Sequence, residues 1–364
     1  MRSIRVLVVD DVSMVRRLVV DALSIDPEVQ VVGVAANGRE ALEKIPAVHP
    51  DLLVLDYEMP EMDGLETLIE VRKNYPSIRV IIFSSHTRHG AKVTLDALWH
   101  GADDYVAKGT ADNVTAATQL IRTQLLPKIK ALCSRLAGTG DAAAAAPDLA
   151  AVPRPAPRRT SIVLARAEIV AIGASTGGPR ALATLFEGLP SDFPAPIVIV
   201  QHMPPIFTRL LAERLGTRTT LQCAEGTEGA PLRGGQIWIA PGDHHMVLER
   251  DGTEIRIRLT SDPPVHSCRP AVDPLFRSVA ELYGSAALGV VLTGMGQDGY
   301  KGCERIRELG GAVVVQDEAS SVVWGMPGIV ARSGLADKVV PLGEIAGEIV
   351  RYASLGKRRK AQVG

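Results

Sequence analysis

The chain has 364 residues, more than a single hydrophobic core comfortably supports, so we expect two domains. Hydrophobic residues make up 46% of it and the formal net charge is −1, which suits packed globular domains and argues against a general attraction to nucleic acid or membrane. Its four cysteines have no C-x-x-C spacing, and no stretch has the length or flanks of a signal peptide or membrane span, so a cytoplasmic protein is expected.

The first half of the chain alternates short apolar runs with amphipathic stretches. Because this β-α alternation is typical of parallel sheets, we predict one sheet covered by helices on both faces. The predicted strands are 5–9, 29–35, 52–55, 79–83 and 104–106, and the predicted helices are 13–24, 38–46, 64–74, 88–99 and 113–136. Ligands of such sheets bind outside the carboxyl ends of the strands.

Charged side chains follow three of these strands directly. Asp10 and Asp11 follow the first strand, Asp56 follows the third and Lys108 follows the last. Strand-end aspartates are often ordinary turn or cap residues, and that alternative holds for each one alone. Together they favour a metal site, because three close carboxylates repel each other without a cation and oxygen ligands suit Mg²⁺.

The segments VLVVDD, LLVLDYEMPEMDG and Tyr105-Val-Ala-Lys108 together resemble a response-regulator receiver domain over residues 4–125. The resemblance implies a flavodoxin-like fold, a five-stranded parallel sheet in the order 2-1-3-4-5. It also implies that Asp56 accepts a phosphoryl group. Asp10, Asp11, Asp56 and the backbone carbonyl of Glu58 would bind Mg²⁺.

Three further receiver roles are implied by this resemblance. Ser84 lies where the family has a hydroxyl residue that senses the phosphoryl group, and Tyr105 lies at its aromatic switch position. Lys108 would contact the phosphoryl oxygens, where Mg²⁺ and an ammonium neutralise the charge of the transfer. The family usually has a proline after this lysine, and Gly109 departs from that pattern.

The composition changes between residues 137 and 160, where alanine and proline replace the mixed apolar pattern. We interpret this stretch as a semi-rigid linker. The predicted organisation has four parts: a receiver domain at 1–125, a helix end and linker at 126–166, a catalytic domain at 167–355, and a basic tail at 356–364.

The second half returns to β-α alternation and predicts a doubly wound, mostly parallel α/β domain with an antiparallel hairpin. Strand signals lie at 169–172, 197–200, 236–240, 247–250, 288–292 and 312–316, and helix signals lie at 180–187 and 299–309.

Ser175, His202 and Asp298 each follow a predicted strand, in the segments GASTGGP, QHMPP and TGMGQDG. If the strands are parallel neighbours, these loops meet at one edge of the sheet. A serine nucleophile needs a base and a histidine base needs an orienting carboxylate, so the set suits acyl transfer. Each residue alone is more often structural. The glycine-rich turn before a helix is also compatible with a phosphate site, although it has neither G-x-G-x-x-G nor a P-loop lysine.

A receiver followed by GASTGGP, QHMP, SCRPAVDPLF and TGMGQDG, in this order, resembles the chemotaxis protein-glutamate methylesterases of the CheB family. The resemblance implies Ser175 as nucleophile, His202 as general base and Asp298 as its orienting carboxylate. The backbone amide of Met295 would contribute to the oxyanion hole and Thr176 would support the nucleophile. Arg269 is a weaker candidate for contacting the substrate.

The function implied is phosphorylation-activated hydrolysis of glutamate methyl esters, with possible deamidation of glutamines, on the cytoplasmic helices of methyl-accepting chemoreceptors. The resemblance implies a histidine kinase of the CheA type as phosphodonor, Mg²⁺ for the receiver and no cofactor for ester hydrolysis. We expect the unphosphorylated receiver to block the Ser175 edge. Alternatives are a non-catalytic binding module, a DNA-binding output, which the α/β pattern disfavours, and a methylesterase of another receptor pathway.

Overall fold

The structure is a computed structural model that describes residues 2–84, 87–108, 114–134 and 165–355. The linker predicted at 137–160, Gly109 and the basic tail at 356–364 lie outside these residues. The chain divides into two compact units, Met1–Pro147 and Asp148–Gly364. In the described ranges, no helix is long and apolar enough to cross a membrane.

The first unit contains a five-stranded parallel sheet with the order β2-β1-β3-β4-β5, which confirms the predicted receiver topology. Its strands are β1 Ile4–Val9, β2 Val29–Ala35, β3 Leu52–Leu55, β4 Arg79–Ser84 and β5 Asp104–Ala107, and its first helices are α1 Ser13–Leu23, α2 Gly38–Val48, α3 Gly64–Asn74 and α4 Arg88–Trp99. All of β3 is buried, as expected of a central strand covered on both faces.

The last helix of this unit is continuous but not uniform. Helix α5 (Val114–Leu120) passes through a π-helical turn (Ile121–Leu125) into α6 (Leu126–Cys133). Ile129, Leu132 and Cys133 of α6 are buried, and Lys128 forms a 2.9 Å ion pair with Asp104 of β5. Residues 126–133 therefore form a helix that packs on β5 of the first unit, and the predicted division at residue 125 stays a prediction.

The second unit contains a seven-stranded parallel sheet with the order β14-β13-β12-β6-β7-β9-β8. Its strands are β6 Ile169–Ala174, β7 Ile197–Gln201, β8 Gln222–Glu225, β9 Gln236–Ile239, β12 Ala287–Val291, β13 Ala312–Gln316 and β14 Lys338–Val340, and its helices are α7 Gly178–Glu187, α8 Phe207–Gly216, α9 Val272–Tyr283, α10 Tyr300–Glu308, α11 Met326–Arg332 and α12 Leu342–Ala353. The mostly parallel sheet is confirmed.

An antiparallel hairpin is present, but it pairs β10 (His245–Asp251) with β11 (Glu254–Thr260), a strand that the sequence analysis did not predict. The predicted strand at 236–240 instead joins the parallel sheet as β9. The inner residues of the hairpin, Met246, Leu248 and Ile257, join the hydrophobic core of the second unit, which also contains Val272 and Phe276 of α9. The hairpin therefore covers part of the core beside the sheet.

The strand order reverses at β6, which pairs with β7 on one side and with β12 on the other. Such a reversal opens a crevice at the carboxyl ends of the strands, where ligands of doubly wound sheets bind. The loops after β6, β7 and β12 carry Ser175, His202 and Asp298, so the predicted catalytic residues all lie on loops at this crevice.

Candidate active site

Ser175 lies in a tight turn between β6 and α7. Its backbone N–H donates to Thr293 O at 3.1 Å, and its carbonyl accepts from Gly178 N at 2.7 Å. Gly177 has φ 78°, a left-handed conformation that favours glycine. The turn leaves the serine half-buried while its neighbours are buried, so its side chain stays accessible.

The loop after β12 lies so close to Ser175 that there is no room for a side chain at Gly294. A Cβ at Gly294 would lie 2.9 Å from the Ser175 Cβ and 2.4 Å from the Met326 sulfur. Met295, the next residue, is 37% exposed. Glycine at position 294 thus lets the backbone preceding Met295 lie directly against the serine.

His202 is brought to Ser175 by strand pairing. Ala174 and Gln201 are partners in the parallel register of β6 and β7, so the residues that follow them lie side by side. The His202 N–H donates to Ala174 O at 3.1 Å. The Gln201 side chain donates to the Ser175 carbonyl at 3.0 Å and fixes the two loops together.

Asp298 is buried and hydrogen-bonded on both carboxylate oxygens. Oδ2 lies 2.7 Å from His202 Nε2 and accepts the Val272 N–H at 2.6 Å. Oδ1 accepts the N–H groups of Asp273 at 3.0 Å and Gly299 at 2.9 Å. Val272 and Asp273 begin α9, so the positive end of a helix dipole faces the carboxylate. This arrangement holds the charged carboxylate against His202 Nε2. Nδ1 is therefore the ring nitrogen that Asp298 does not contact.

The pKa of Asp298 is lowered, although burial alone raises it. The hydrogen bond and charge of His202 and the backbone N–H groups of Val272 and Asp273 outweigh the cost of burial. Conversely, burial lowers the pKa of His202, but hydrogen bonds with Asp298 and the Cys268 thiol raise it above its ordinary value. The pair therefore stabilises a protonated imidazole, the form that a general base acquires during proton transfer.

The predicted metal residues of the first unit also meet. Carboxylate oxygens of Asp10, Asp11 and Asp56 all lie within 4.8 Å of one another. Lys108 Nζ lies 2.8 Å from Asp10 Oδ2 and 2.7 Å from Asp56 Oδ2. Asp10 and Asp56 are buried, whereas Asp11 is exposed. This set of hard oxygen donors at one open sheet edge fits Mg²⁺.

Burial raises the pKa of Asp56 to about 6, with Lys108 opposing the shift and Asp10 adding to it. Burial lowers the pKa of Lys108, but Asp56 and Asp10 raise it overall. The crowded carboxylates are therefore incompletely compensated by one ammonium, and a divalent cation would relieve their repulsion.

Similarity to known proteins decides the family. A family model of the CheB methylesterase matches residues 170–349, and a model of the response regulator receiver domain matches residues 6–119. A protein-glutamate methylesterase/protein-glutamine glutaminase of Trichodesmium erythraeum is 51% identical over 96% of this chain and 99% of its own length. This chain belongs to the CheB methylesterase family.

Two further relatives agree with this assignment. A protein of the same name from Nocardioides is 47% identical over 96% of this chain and 96% of its own length. The crystal structure of the Thermotoga maritima CheB methylesterase catalytic domain is 42% identical, covering 51% of this chain and 98% of that one with a TM-score of 0.50.

Two residues beside the CheB-type site, Asp273 and His266, were not identified from the sequence. Asp273 is buried, accepts the Gly302 N–H at 2.7 Å and lies 3.1 Å from His266 Nε2. Burial and the neighbouring Asp298 raise its pKa. The segment Val272-Asp273-Pro274 contains the acidic residue and proline typical of a helix start, which could have placed this helix end. The contact between this helix end and Asp298 is made by the backbone N–H groups of Val272 and Asp273, which no sequence pattern identifies.

The remaining predicted residues occupy varied surroundings. Thr176 is buried and its carbonyl accepts from Thr293 Oγ1 at 2.9 Å. The Arg269 guanidinium is 2.5 Å from Asp243 and donates to the carbonyls of Ser261 and Asp262, so it is engaged within its own unit. Its proposed contact with substrate stays a prediction.

The predicted switch residues, Ser84 and Tyr105, lie on β4 and β5. Ser84 is buried and its hydroxyl donates to Gly90 O at 3.2 Å. Tyr105 is buried, and the Lys128 ammonium lies 5.2 Å from its ring centroid. The Glu58 side chain is exposed, with its carboxylate 3.9 Å from His89, and the role of its backbone carbonyl toward Mg²⁺ stays a prediction.

Proposed function

We propose that this chain hydrolyses γ-methyl esters of glutamate on methyl-accepting chemoreceptors, under control of phosphorylation at Asp56. The observation that carries the proposal is the charged, fully hydrogen-bonded Asp298 beside His202, in loops that flank Ser175. A histidine oriented by a buried carboxylate next to an accessible serine is the arrangement that acyl transfer requires. Membership of the CheB family supports the same reaction.

In the proposed reaction, the neutral fraction of His202 accepts the proton of Ser175 as the serine oxygen attacks the ester carbonyl. The raised pKa of His202 makes this fraction smaller at neutral pH than for an ordinary histidine. The Met295 N–H donates to the oxyanion that forms, which accounts for the close approach of this loop. The imidazolium then gives its proton to the departing methoxide, so methanol leaves and an acyl-serine remains. Water, deprotonated by His202, hydrolyses the acyl-serine to glutamate and free Ser175.

Asp298 orients His202 and stabilises the imidazolium, while Thr176 supports the serine turn through its backbone. No metal is needed for these steps, because proton transfer and oxyanion stabilisation come from the protein. The same chemistry acts on a glutamine side chain, with ammonia as leaving group, so deamidation belongs to the proposal.

The receiver would be phosphorylated on Asp56 by a histidine kinase of the CheA type. Asp10, Asp11, Asp56 and the carbonyl of Glu58 would hold Mg²⁺, which neutralises charge during phosphoryl transfer when bound. Lys108 contacts the Asp56 carboxylate and would hold the phosphoryl oxygens. Ser84 and Tyr105 would respond to the new group and raise ester hydrolysis. The chemoreceptor helices are reached from the cytoplasm, where we place the protein.

The test is methanol release from a methylated chemoreceptor, comparing wild type with Ser175→Ala, with and without a small phosphodonor and Mg²⁺. We expect release that disappears in Ser175→Ala and rises with the phosphodonor, and the rise should be absent in Asp56→Ala. Folded wild-type protein that releases no methanol from several receptors would refute the esterase. Equal stimulation of wild type and Asp56→Ala would refute the control by phosphorylation.

A further inference from the structure

Large apolar side chains are exposed at three positions of the described residues 165–355: Ile206 at 42%, Met295 at 37% and Val339 at 47%. Ile206 follows β7 and Met295 follows β12, and these two strands flank β6, which leads to Ser175. Two of the three exposed side chains therefore lie on the loops on either side of the proposed nucleophile. Single exposed apolar side chains are ordinary on a protein surface, so it is their position on both loops beside Ser175 that points to a partner.

The backbone of Ile206 gives a second, independent indication. Its φ of 73° and ψ of −48° are close to those of the classic γ-turn, which is rare and strained. A β-branched residue with positive φ is an outlier, and glycine would adopt this conformation freely. Strain of this kind persists where a side chain is needed for function.

The segment around Ile206 is fixed by its neighbours. Phe207 and Thr208 are buried, and the Thr208 hydroxyl accepts the Gly242 N–H at 3.0 Å. Gly242 also packs closely on the preceding prolines, since a Cβ there would lie 2.2 Å from Pro205 N. The Ile206 side chain is thus presented from a rigid turn four residues after His202.

The two loop segments that carry Ile206 and Met295 also lack charged residues. Residues 203–208 and 292–297 contain no ionisable side chain, although 22% of the chain is charged. We call Pro204, Pro205, Ile206 and Met295 the apolar rim. An uncharged rim accepts a neutral ester or amide at little cost, whereas burying the charged carboxylate product against it is unfavourable.

We propose that the apolar rim binds apolar side chains of the receptor helix next to the esterified glutamate, with Ile206 as the residue that determines specificity for the protein substrate. This inference rests on the proposed function and names how the substrate is recognised. The esterified side chain reaches Ser175 between the two loops, so the residues flanking it on the helix meet Ile206 on one side and Met295 on the other. The neutral rim then favours release of the charged product.

The test compares wild type with Ile206→Gly, in the full-length protein with phosphodonor and Mg²⁺. Methanol release is measured on a methylated chemoreceptor and on a small N-acetylglutamate γ-methyl ester, which is too short to contact the rim as a helix does. We expect the ratio of the two kcat/KM values to fall about tenfold in Ile206→Gly, mainly through KM for the receptor. The unfolding temperature should not fall, because glycine relieves the strained φ.

Two variants serve as controls. Ile206→Leu keeps an apolar side chain and should retain the wild-type ratio. Val339→Ala removes the third exposed apolar side chain, away from the loops of the site, and should also leave the ratio unchanged.

Three results separate the possible failures. If wild type cleaves neither ester, the proposed function itself fails. If wild type is active but Ile206→Gly keeps its ratio, the rim does not bind the substrate. If Ile206→Gly raises receptor hydrolysis without phosphodonor, Ile206 contacts the receiver instead, and the inference is overturned.

Discussion

Asp56 and Asp298 are buried carboxylates at the carboxyl edges of two parallel sheets, and their surroundings differ in the donors that reach them. Asp298 accepts N–H groups from Val272, Asp273 and Gly299 and contacts His202. Asp56 accepts the Tyr57 N–H at 2.7 Å and contacts Lys108. Residue type and topological position are thus shared, while the hydrogen bonding is not.

This difference separates their proton affinities. Burial raises the pKa of Asp56 to about 6, because Lys108 compensates only part of the cost and Asp10 adds to it. Burial also opposes ionisation of Asp298, but its donors lower the pKa below the ordinary value. A carboxylate saturated with donors keeps its charge and orients a histidine. A carboxylate with fewer donors is available to a cation and a phosphoryl group.

The largest expected effect follows from removing the charge of Asp298. In Asp298→Asn the side chain cannot stabilise the His202 imidazolium, and its amide hydrogens compete with the backbone N–H donors. We expect kcat for the methyl ester to fall by roughly 10³- to 10⁴-fold. Methanol release under saturating ester measures this loss.

The matched control is Asp337→Asn. Asp337 accepts the Val313 N–H at 2.8 Å and pairs with Arg307 at 2.6 Å, so it is a comparable carboxylate of the same unit outside the site. Its substitution should change kcat less than about threefold. Similar losses in the two variants would mean that Asp298 acts only through stability.

A smaller effect, on stability, is expected at Asp56. Because its folded pKa is raised above the unfolded value, its contribution to the unfolding free energy is present below about pH 4 and is lost as the pH rises to about 6. We expect Asp56→Asn to stabilise the first unit at pH 7 by ~3 kcal/mol in Mg²⁺-free buffer. Hydrogen exchange of the β1 and β3 amides in the full-length protein measures this change.

Measuring the effect of Asp56→Asn on stability at pH 4 as well as at pH 7 supplies the control for this prediction. At pH 4 the wild-type carboxyl is protonated in the folded state and about half protonated in the unfolded state, so the gain from Asp56→Asn should largely disappear. A gain that is equal at both pH values, or a loss at pH 7, would show that Lys108 fully compensates the Asp56 charge.

Much of this architecture could be predicted because parallel strands give clear signals. The bounds of β2, β3 and β13 coincide with the sequence prediction, and the serine and histidine follow adjacent strands, so simple topology brings them together. The residues that charge and orient Asp298 could not be found in this way. They are backbone N–H groups of Val272 and Asp273, about 26 positions away in the chain, and a backbone donor has no sequence signature.

Ile206 illustrates a second limit of sequence patterns. A positive φ is ordinarily predicted where the sequence has glycine or asparagine. The γ-turn conformation of Ile206 therefore could not be predicted from its residue type. The π-helical turn at Ile121–Leu125 could not be predicted either, because its apolar pattern is that of an ordinary α-helix. The conformation of Ile206 is held by its buried neighbours Phe207 and Thr208 rather than by local preference.

Capture of the acyl-enzyme would show whether Ser175 is the nucleophile that His202 and Asp298 activate. Wild-type protein turning over a slowly hydrolysed glutamate ester is quenched in acid, digested and analysed by mass spectrometry. We predict an acyl group on the peptide containing Ser175, which is absent in Ser175→Ala and greatly reduced in Asp298→Asn. An acyl group on Cys268, the thiol beside His202, or the absence of any adduct together with unchanged activity in Ser175→Ala, would show that Ser175 is not the nucleophile.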